Sequence, residues 1–127
     1  MRTSITLGVA AALTLSVSAF AAAADTVKIA FIDPLSGPFA GTGVNGLHQY
    51  EFAAEELVNK KGGVLDGDMF EIVAVDNKIS PKESLIQLQV AIDQGIRYIA
   101  QGNSSGVANA LTEAIDTVAN DVVTYAR

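Results

Sequence analysis

The sequence contains no cysteine and only one histidine among its 127 residues. No disulfide can form, so a domain of this length must be held together by packing alone. With His48 as the sole imidazole and no carboxylates at metal-ligand spacing, a structural zinc site is not expected. A Ser-His-Asp set would need His48 to face a cleft, and an exposed or hydrogen-bonded histidine within a helix is the favoured interpretation.

Basic residues are also scarce, since eight lysines and arginines stand against fourteen aspartates and glutamates and the formal net charge is −6. An acidic surface of this kind repels polyanions. The composition therefore argues against a nucleic-acid partner and against binding to anionic membranes.

Charge is absent from one long stretch near the N-terminus. Arg2 is followed by an uncharged run from about Ile5 to Phe20 and then by alanines up to Ala24. This order is typical of a secretory signal peptide, whereas a membrane anchor would normally be longer and would not end in small residues. We expect residues 1–24 to be removed before Asp25, which leaves 103 residues with a net charge of −7 and room for one core.

The rest of the chain alternates short apolar runs with stretches of helical period, which predicts an α/β fold with an open parallel sheet and helices on both faces. Predicted strands cover residues 27–32, 69–75, 96–100 and 122–125. A loop is predicted from Asp33 to about Gly43. Each predicted helix has an apolar face: Leu47, Tyr50, Ala54, Leu57 and Val58 in the first, Leu85, Leu88 and Ile92 in the second, and Val107, Leu111, Ile115 and Val118 in the third.

Local signals mark the helix ends. Gly62 and Gly63 end the first helix, which also carries a Glu56–Lys60 pair one turn apart. Ser80 and Pro81 begin the second helix, with a glutamate placed to close a capping box.

The segment Gly41–Gly46 reads G-x-G-x-x-G, the spacing of dinucleotide-binding loops. In those folds the glycines follow the strand directly and an acidic residue lies about twenty positions later. Here seven residues separate Asp33 from Gly41, and the nearest acid at a strand end, Asp76, lies too far along the chain. Glycines needed for loop conformation and close packing are favoured, and no cofactor is predicted.

The carboxyl ends of the first and third strands should meet, because ligands of open parallel sheets bind where neighbouring connections diverge to opposite faces. The turn 102–106 lies at this edge and at the start of a helix. The backbone N–H groups at such a helix start can bind a carboxylate. One of the two serines in the turn should cap the helix. Asp33 and Asp76 end strands and are expected to cap loops rather than to form an acid–base pair. The predicted ligand-binding residues are Ser36, Phe39, Thr42, Asn103, Ser104 and Ser105.

Four segments together carry a family resemblance: residues 27–38, which end in Pro-Leu-Ser-Gly-Pro; the helix end 53–59 with its Gly-Gly-Val turn; the strand 71–76; and the turn 102–106. They resemble the start of a type I periplasmic substrate-binding protein, of the leucine/isoleucine/valine-binding family of ABC transporters. In that family two lobes close on an amino acid or related small acid, and the closed form docks on a membrane permease.

The resemblance implies that residues 36–43 wall the cleft and that Ser104 and Ser105 hold the ligand carboxylate. It also implies a periplasmic location, a permease partner and no enzymatic activity. Family members are several times longer, so residues 25–127 are expected to form part of an N-terminal lobe, with the last strand as an exposed edge. Where many members begin the second helix with Asp-Pro, this chain has Ser80-Pro81.

Two other functions stay open at this point. A small secreted α/β hydrolase would use His48 with a serine, and a sensor of the same fold would report to a partner other than a permease. The ligand is not identified either, because the resemblance fits aliphatic amino acids, amides, urea-like molecules and aromatic acids.

Overall fold

Four parallel strands form the sheet of this protein, described here from a computed structural model that covers residues 24–118 and 123–126. The strands are β1 (Thr26–Asp33), β2 (Met69–Asp76), β3 (Tyr98–Gln101) and β4 (Val123–Ala126), in the spatial order β2-β1-β3-β4. The predicted signal peptide, except for Ala24, lies outside the described residues. So does Val122, the predicted first residue of the last strand.

Three helices connect the strands: α1 (Ala40–Ala53), α2 (Pro81–Asp93) and α3 (Ser105–Val118). A short 3-10 turn, Gly37–Phe39, precedes α1, and a π-helical turn and a 3-10 turn extend it through Ala54–Val58 and Asn59–Lys61. Because crossovers between parallel strands are right-handed, the strand order places α1 on one face and α2 and α3 on the other. The predicted fold class, an open parallel sheet with helices on both faces, is confirmed.

The main core lies between the sheet and the pair α2 and α3. Ala30 and Ile32 of β1 point to this side and belong to one buried cluster with Leu88 of α2 and Leu111 of α3. The alternate residue Phe31 points to the other side, where its ring centroid lies 4.9 Å from that of Tyr50 in α1. Alternation along a strand buried on both faces thus produces two separate packing layers.

The first helix begins earlier than predicted. Residues 40–43, predicted as part of a loop, form the first turn of α1. Pro38 fits the preceding turn because its missing N–H is not needed there. Gly43 lies so close to the residue that follows β1 that an added Cβ would be 1.8 Å from the carbonyl oxygen of Pro34. Close packing therefore explains this glycine, and loop conformation does not.

The predicted inner face of α1 is wrong at its C-terminal end. Ala54 is buried as expected, but Leu57 is 66% exposed. The π-helical turn that starts at Ala54 rotates the following side chains away from the positions that a regular helix would give them. The predicted ending is confirmed, since Gly62 and Gly63 adopt positive φ and donate to the last carbonyls.

The second and third helices follow their predictions more closely. Ser80 caps α2 by accepting a hydrogen bond from the backbone N–H of Glu83, at 3.3 Å. Leu88 is buried, but Leu85 is 39% exposed and Ala91 takes the inward position. In α3, Val107, Leu111 and Ile115 are all buried, whereas the side chain of Val118 lies outside the described residues.

Candidate functional site

Asp33, the last residue of β1, lies at the centre of the candidate site and is fully buried. One carboxylate oxygen accepts hydrogen bonds from the backbone N–H groups of Gly102 (3.4 Å) and Asn103 (3.2 Å), and the other accepts one from the Asn103 amide. Burial raises the pKa of Asp33, and the three hydrogen bonds only partly oppose the rise. The carboxyl ends of β1 and β3 therefore meet as predicted, joined by a residue that was expected only to cap a loop.

Asp76, the partner of Asp33 in the β1–β2 register, holds a different loop. It accepts hydrogen bonds from the backbone N–H groups of Leu35 (2.9 Å) and Lys78 (3.0 Å) and from the Ser36 hydroxyl. Burial alone would raise the pKa of Asp76, but these hydrogen bonds outweigh it and lower the pKa below its ordinary value. The two aspartates thus cap separate loops, as the sequence predicts.

The turn between β3 and α3 is held from its other side as well. Ser104 caps α3, since its hydroxyl accepts from the N–H of Val107 (3.3 Å) and its carbonyl accepts from that of Ala108 (2.8 Å). The Gln101 amide donates to the same Ser104 carbonyl at 3.2 Å. The predicted serine cap is confirmed and assigned to Ser104, and its neighbour Ser105 is exposed.

Gln101 is a residue that the sequence analysis missed. Its side chain is 1% exposed, and its Oε1 atom has no hydrogen-bond partner among the described residues. Gln101 lies two positions after Ile99, which belongs to the buried cluster, and alternation along the strand places its side chain on the same side, towards α2 and α3. The residue also contributes to the lining of the cavity at this edge. A polar residue at the end of an otherwise apolar strand was the signal that could have singled it out.

A cavity of about 700 Å³ lies on the α1 side of the same edge. Its wall includes the strand-end residues Asp33 and Asn103 and one face of α1 that carries Thr42, Asn45 and Gln49. Among the residues that the structure describes, those lining the cavity include no lysine, arginine or histidine. Any anionic group bound here would have to be held by N–H, amide and hydroxyl donors.

The six predicted ligand-binding residues do not all reach this cavity. Thr42 and Asn103 line it, whereas the other four lie outside its lining. Ser36 binds Asp76, Phe39 is 51% exposed, Ser104 caps α3 and Ser105 lies on the surface. Thr42 belongs to the first turn of α1 and not, as predicted, to a loop.

Features that would suggest other chemistry are not found in the described part of the chain. His48 is exposed on α1, in a shallow depression beside Asn45, Gln49 and Phe52. Within residues 24–118 and 123–126, no three histidine, aspartate or glutamate side chains gather as metal ligands would. No helix in these ranges has the length and apolar character needed to cross a bilayer.

Comparison with known proteins gives matches over most of the chain. The family model described as periplasmic binding protein matches residues 26–125. The Leu/Ile/Val-binding protein homolog 4 of Brucella abortus is 34% identical over 110 residues, which cover 85% of this chain and 26% of that protein. The chain thus spans about a quarter of the length of the curated relatives that it matches.

Solved structures agree with this match. The leucine-, isoleucine-, valine-, threonine- and alanine-binding protein of Brucella ovis, in its closed conformation, superposes with a TM-score of 0.66 at 30% identity, over 80% of this chain and 27% of that one. A branched-chain amino acid transporter substrate-binding protein of Streptococcus pneumoniae, solved with isoleucine, superposes with a TM-score of 0.65 at 25% identity. The match covers 80% of this chain and 28% of that one.

Proposed function

We propose, from the premise that this chain belongs to the periplasmic binding protein family, that it acts as the extracytoplasmic solute-binding component of an ABC importer. The proposed ligand is a branched-chain amino acid or a similar small carboxylate. Support comes from relatives that are named as Leu/Ile/Val-binding proteins and from a similar structure that holds isoleucine. These relatives are binding proteins, so we assign this chain no enzymatic activity.

The observation that carries the proposal is the hydrogen-bonded link between Asp33 and the turn after β3, next to the cavity. It fixes the two strand ends between which an open parallel sheet binds ligands. Thr42 and Asn103 offer uncharged donors at the cavity wall. The described wall contains no cationic side chain, and the N–H groups of Gly102 and Asn103 already bind Asp33. We propose that the ligand carboxylate is held at the turn by the hydroxyls and backbone N–H groups of Ser104 and Ser105, with Ser36 and Phe39 on the opposing loop.

We further propose that residues 1–24 direct export and that residues 25–127 form part of the N-terminal ligand-binding lobe, which delivers its ligand to a membrane permease. The intact mass of the protein, purified from the periplasm of a bacterial host, tests the first part. Cleavage predicts a species that begins at Asp25, and a species that retains Met1 would contradict it.

Ligand binding is tested by titration calorimetry with L-leucine, L-isoleucine and L-valine, using the same exported protein. Asn103→Ala should weaken binding by about tenfold, because it removes a donor at the cavity wall and a partner of the Asp33 carboxylate. The control is Asn109→Ala, which changes an exposed asparagine of α3 and should leave affinity unchanged.

Two outcomes would argue against this function. If wild-type protein binds none of the three amino acids at millimolar concentration, the ligand assignment is wrong. If the wild-type protein hydrolyses an ester substrate and His48→Ala abolishes that activity, the chain is a hydrolase. The exposure of His48 on α1 favours a binding protein without such activity.

A further inference from the structure

Asp33 makes an unusual set of contacts for a residue that ends a strand. The hydrogen bonds to its carboxylate come from Gly102 and Asn103, about seventy positions further along the chain. The carboxylate therefore accepts two backbone N–H groups and one side-chain amide from a single turn. This arrangement pins the turn to the end of β1.

Within the described part of the chain, few other charged groups lie near Asp33. α1 approaches it with Gly46, where an added Cβ would be 3.8 Å from the Asp33 Oδ2 atom. The titratable neighbours are Tyr50, on the cavity wall, and Asp76, on the adjacent strand. The Asp76 carboxylate accepts hydrogen bonds from its own loop. The Asp33 carboxylate accepts from the backbone N–H groups of residues 102 and 103 and from the Asn103 amide.

We propose that Asp33 is the positioning residue of this site: its ionised carboxylate holds the Gly102–Asn103 turn against the cavity, and its protonation releases the turn. A carboxylate accepts at both oxygens, whereas a carboxylic acid turns one oxygen into a donor. After protonation, the new O–H donor of Asp33 faces an N–H donor of the turn, and that hydrogen bond is lost. The inference rests on the function proposed above only where it concerns ligand affinity.

Two effects of pH then run in opposite directions. Burial raises the pKa of Asp33 above its unfolded value, so its contribution to global stability grows as pH falls through the folded pKa and shrinks as pH rises. The order of the turn instead increases as pH rises, because only the ionised carboxylate accepts hydrogen bonds from all three donors. A residue with a merely structural role would move stability and turn order together.

NMR of the exported protein separates these possibilities. We expect the amide protons of Gly102 and Asn103 to shift with pH at the same midpoint as the Asp33 side-chain carbon, and to exchange with solvent at least about tenfold faster in Asp33→Ala. Asp33→Asn replaces one acceptor oxygen of the carboxylate with a donor and so mimics the protonated side chain. This variant should therefore show the faster exchange at every pH and lose the pH-dependent shift of the two amides.

Affinity for L-leucine, measured over the same pH range, gives the second readout. The dissociation constant should rise by about tenfold in Asp33→Ala and should become independent of pH in Asp33→Asn. If Asp33→Ala does not fold, the titration of the wild-type amides and the Asp33→Asn variant still decide the question.

The outcomes distinguish the two proposals. Wild-type amides at residues 102 and 103 that ignore the titration of Asp33, or an Asp33→Asn variant that keeps the wild-type pH dependence, would overturn the positioning role. Coupled amide titration without any binding of L-leucine would support the positioning role and reject the ligand assignment instead.

Discussion

At the scale of single residues, the two aspartates at neighbouring strand ends show how environment separates chemically identical groups. Asp33 is fully buried, and desolvation dominates its pKa. Asp76 is only half-buried, and its hydrogen-bond donors prevail over desolvation. The same carboxyl group is therefore harder to ionise at one strand end and easier to ionise at the next.

Asp76 gives a prediction with a definite pH window. Since its folded pKa is lowered, its ionised form should contribute stability that is fully present above the unfolded pKa of about 4 and is lost as pH falls through the folded value. Asp76→Asn should reduce the free energy of unfolding by about 1 kcal/mol at pH 7 and by less at pH 3.

Urea unfolding at both pH values provides the measurement. The control is Asp66→Asn, at an exposed position in the turn before β2, which should change neither value. An Asp76→Asn effect that is equal or larger at pH 3 would mean that the ionised carboxylate is not what holds the loop.

At the scale of secondary-structure elements, helix ends and buried faces follow from short sequence signals where the helix is regular. The serine-proline start of α2 and the apolar face of α3 were predictable for this reason. The π-helical turn that follows α1 at Ala54–Val58 was not predicted, because no capping residue, proline or glycine in that segment marks it. Exposure of Leu57 is its visible consequence.

The glycines of α1 offer a matched pair at this scale. Gly43→Ala should destabilise the protein by about 1–3 kcal/mol, because the new Cβ would overlap the Pro34 carbonyl oxygen and push α1 away from β1. Gly41→Ala meets nothing within 4 Å and should stabilise the helix by up to about 1 kcal/mol.

Thermal and urea unfolding of the two variants would check this prediction. Equal effects of both alanines would mean that helix propensity alone decides, and that the close approach of α1 to β1 has no energetic consequence.

At the scale of the whole molecule, the resemblance to the leucine/isoleucine/valine-binding family is confirmed by the family match and by the superposed structures. The fold is held without disulfides by the layer between the sheet and the pair α2 and α3. β4 occupies one edge of the described sheet, as predicted for the last strand. Its tendency to aggregate stays a prediction.

The importance of this layer is tested by comparing two leucines. Leu111→Ala, at a fully buried position, should lower the free energy of unfolding by about 2–5 kcal/mol because it leaves a cavity beneath α3. Leu57→Ala, at a position 66% exposed, should change it by less than about 0.5 kcal/mol. A large decrease in the free energy of unfolding for Leu57→Ala, measured with urea, would show that this side chain is buried.

The sequence by itself determined the class of fold, the family and most helix limits, because these depend on local periodicity, capping residues and short motifs. It also predicted which strand ends meet, since the order of connections in a parallel sheet follows a general rule. Thr42 and Asn103, two of the predicted ligand-binding residues, line the cavity at that edge, and their role in binding stays a prediction.

Tertiary structure alone decided which side chains form the link and the cavity. The contacts between Asp33 and Asn103 join residues seventy positions apart, and the close approach of α1 at Gly43 depends on the packing of a whole helix on the sheet. No short window of sequence contains both partners of such a contact. Sequence reasoning could therefore predict where the site lies, and only the folded chain could assign the residues that build it.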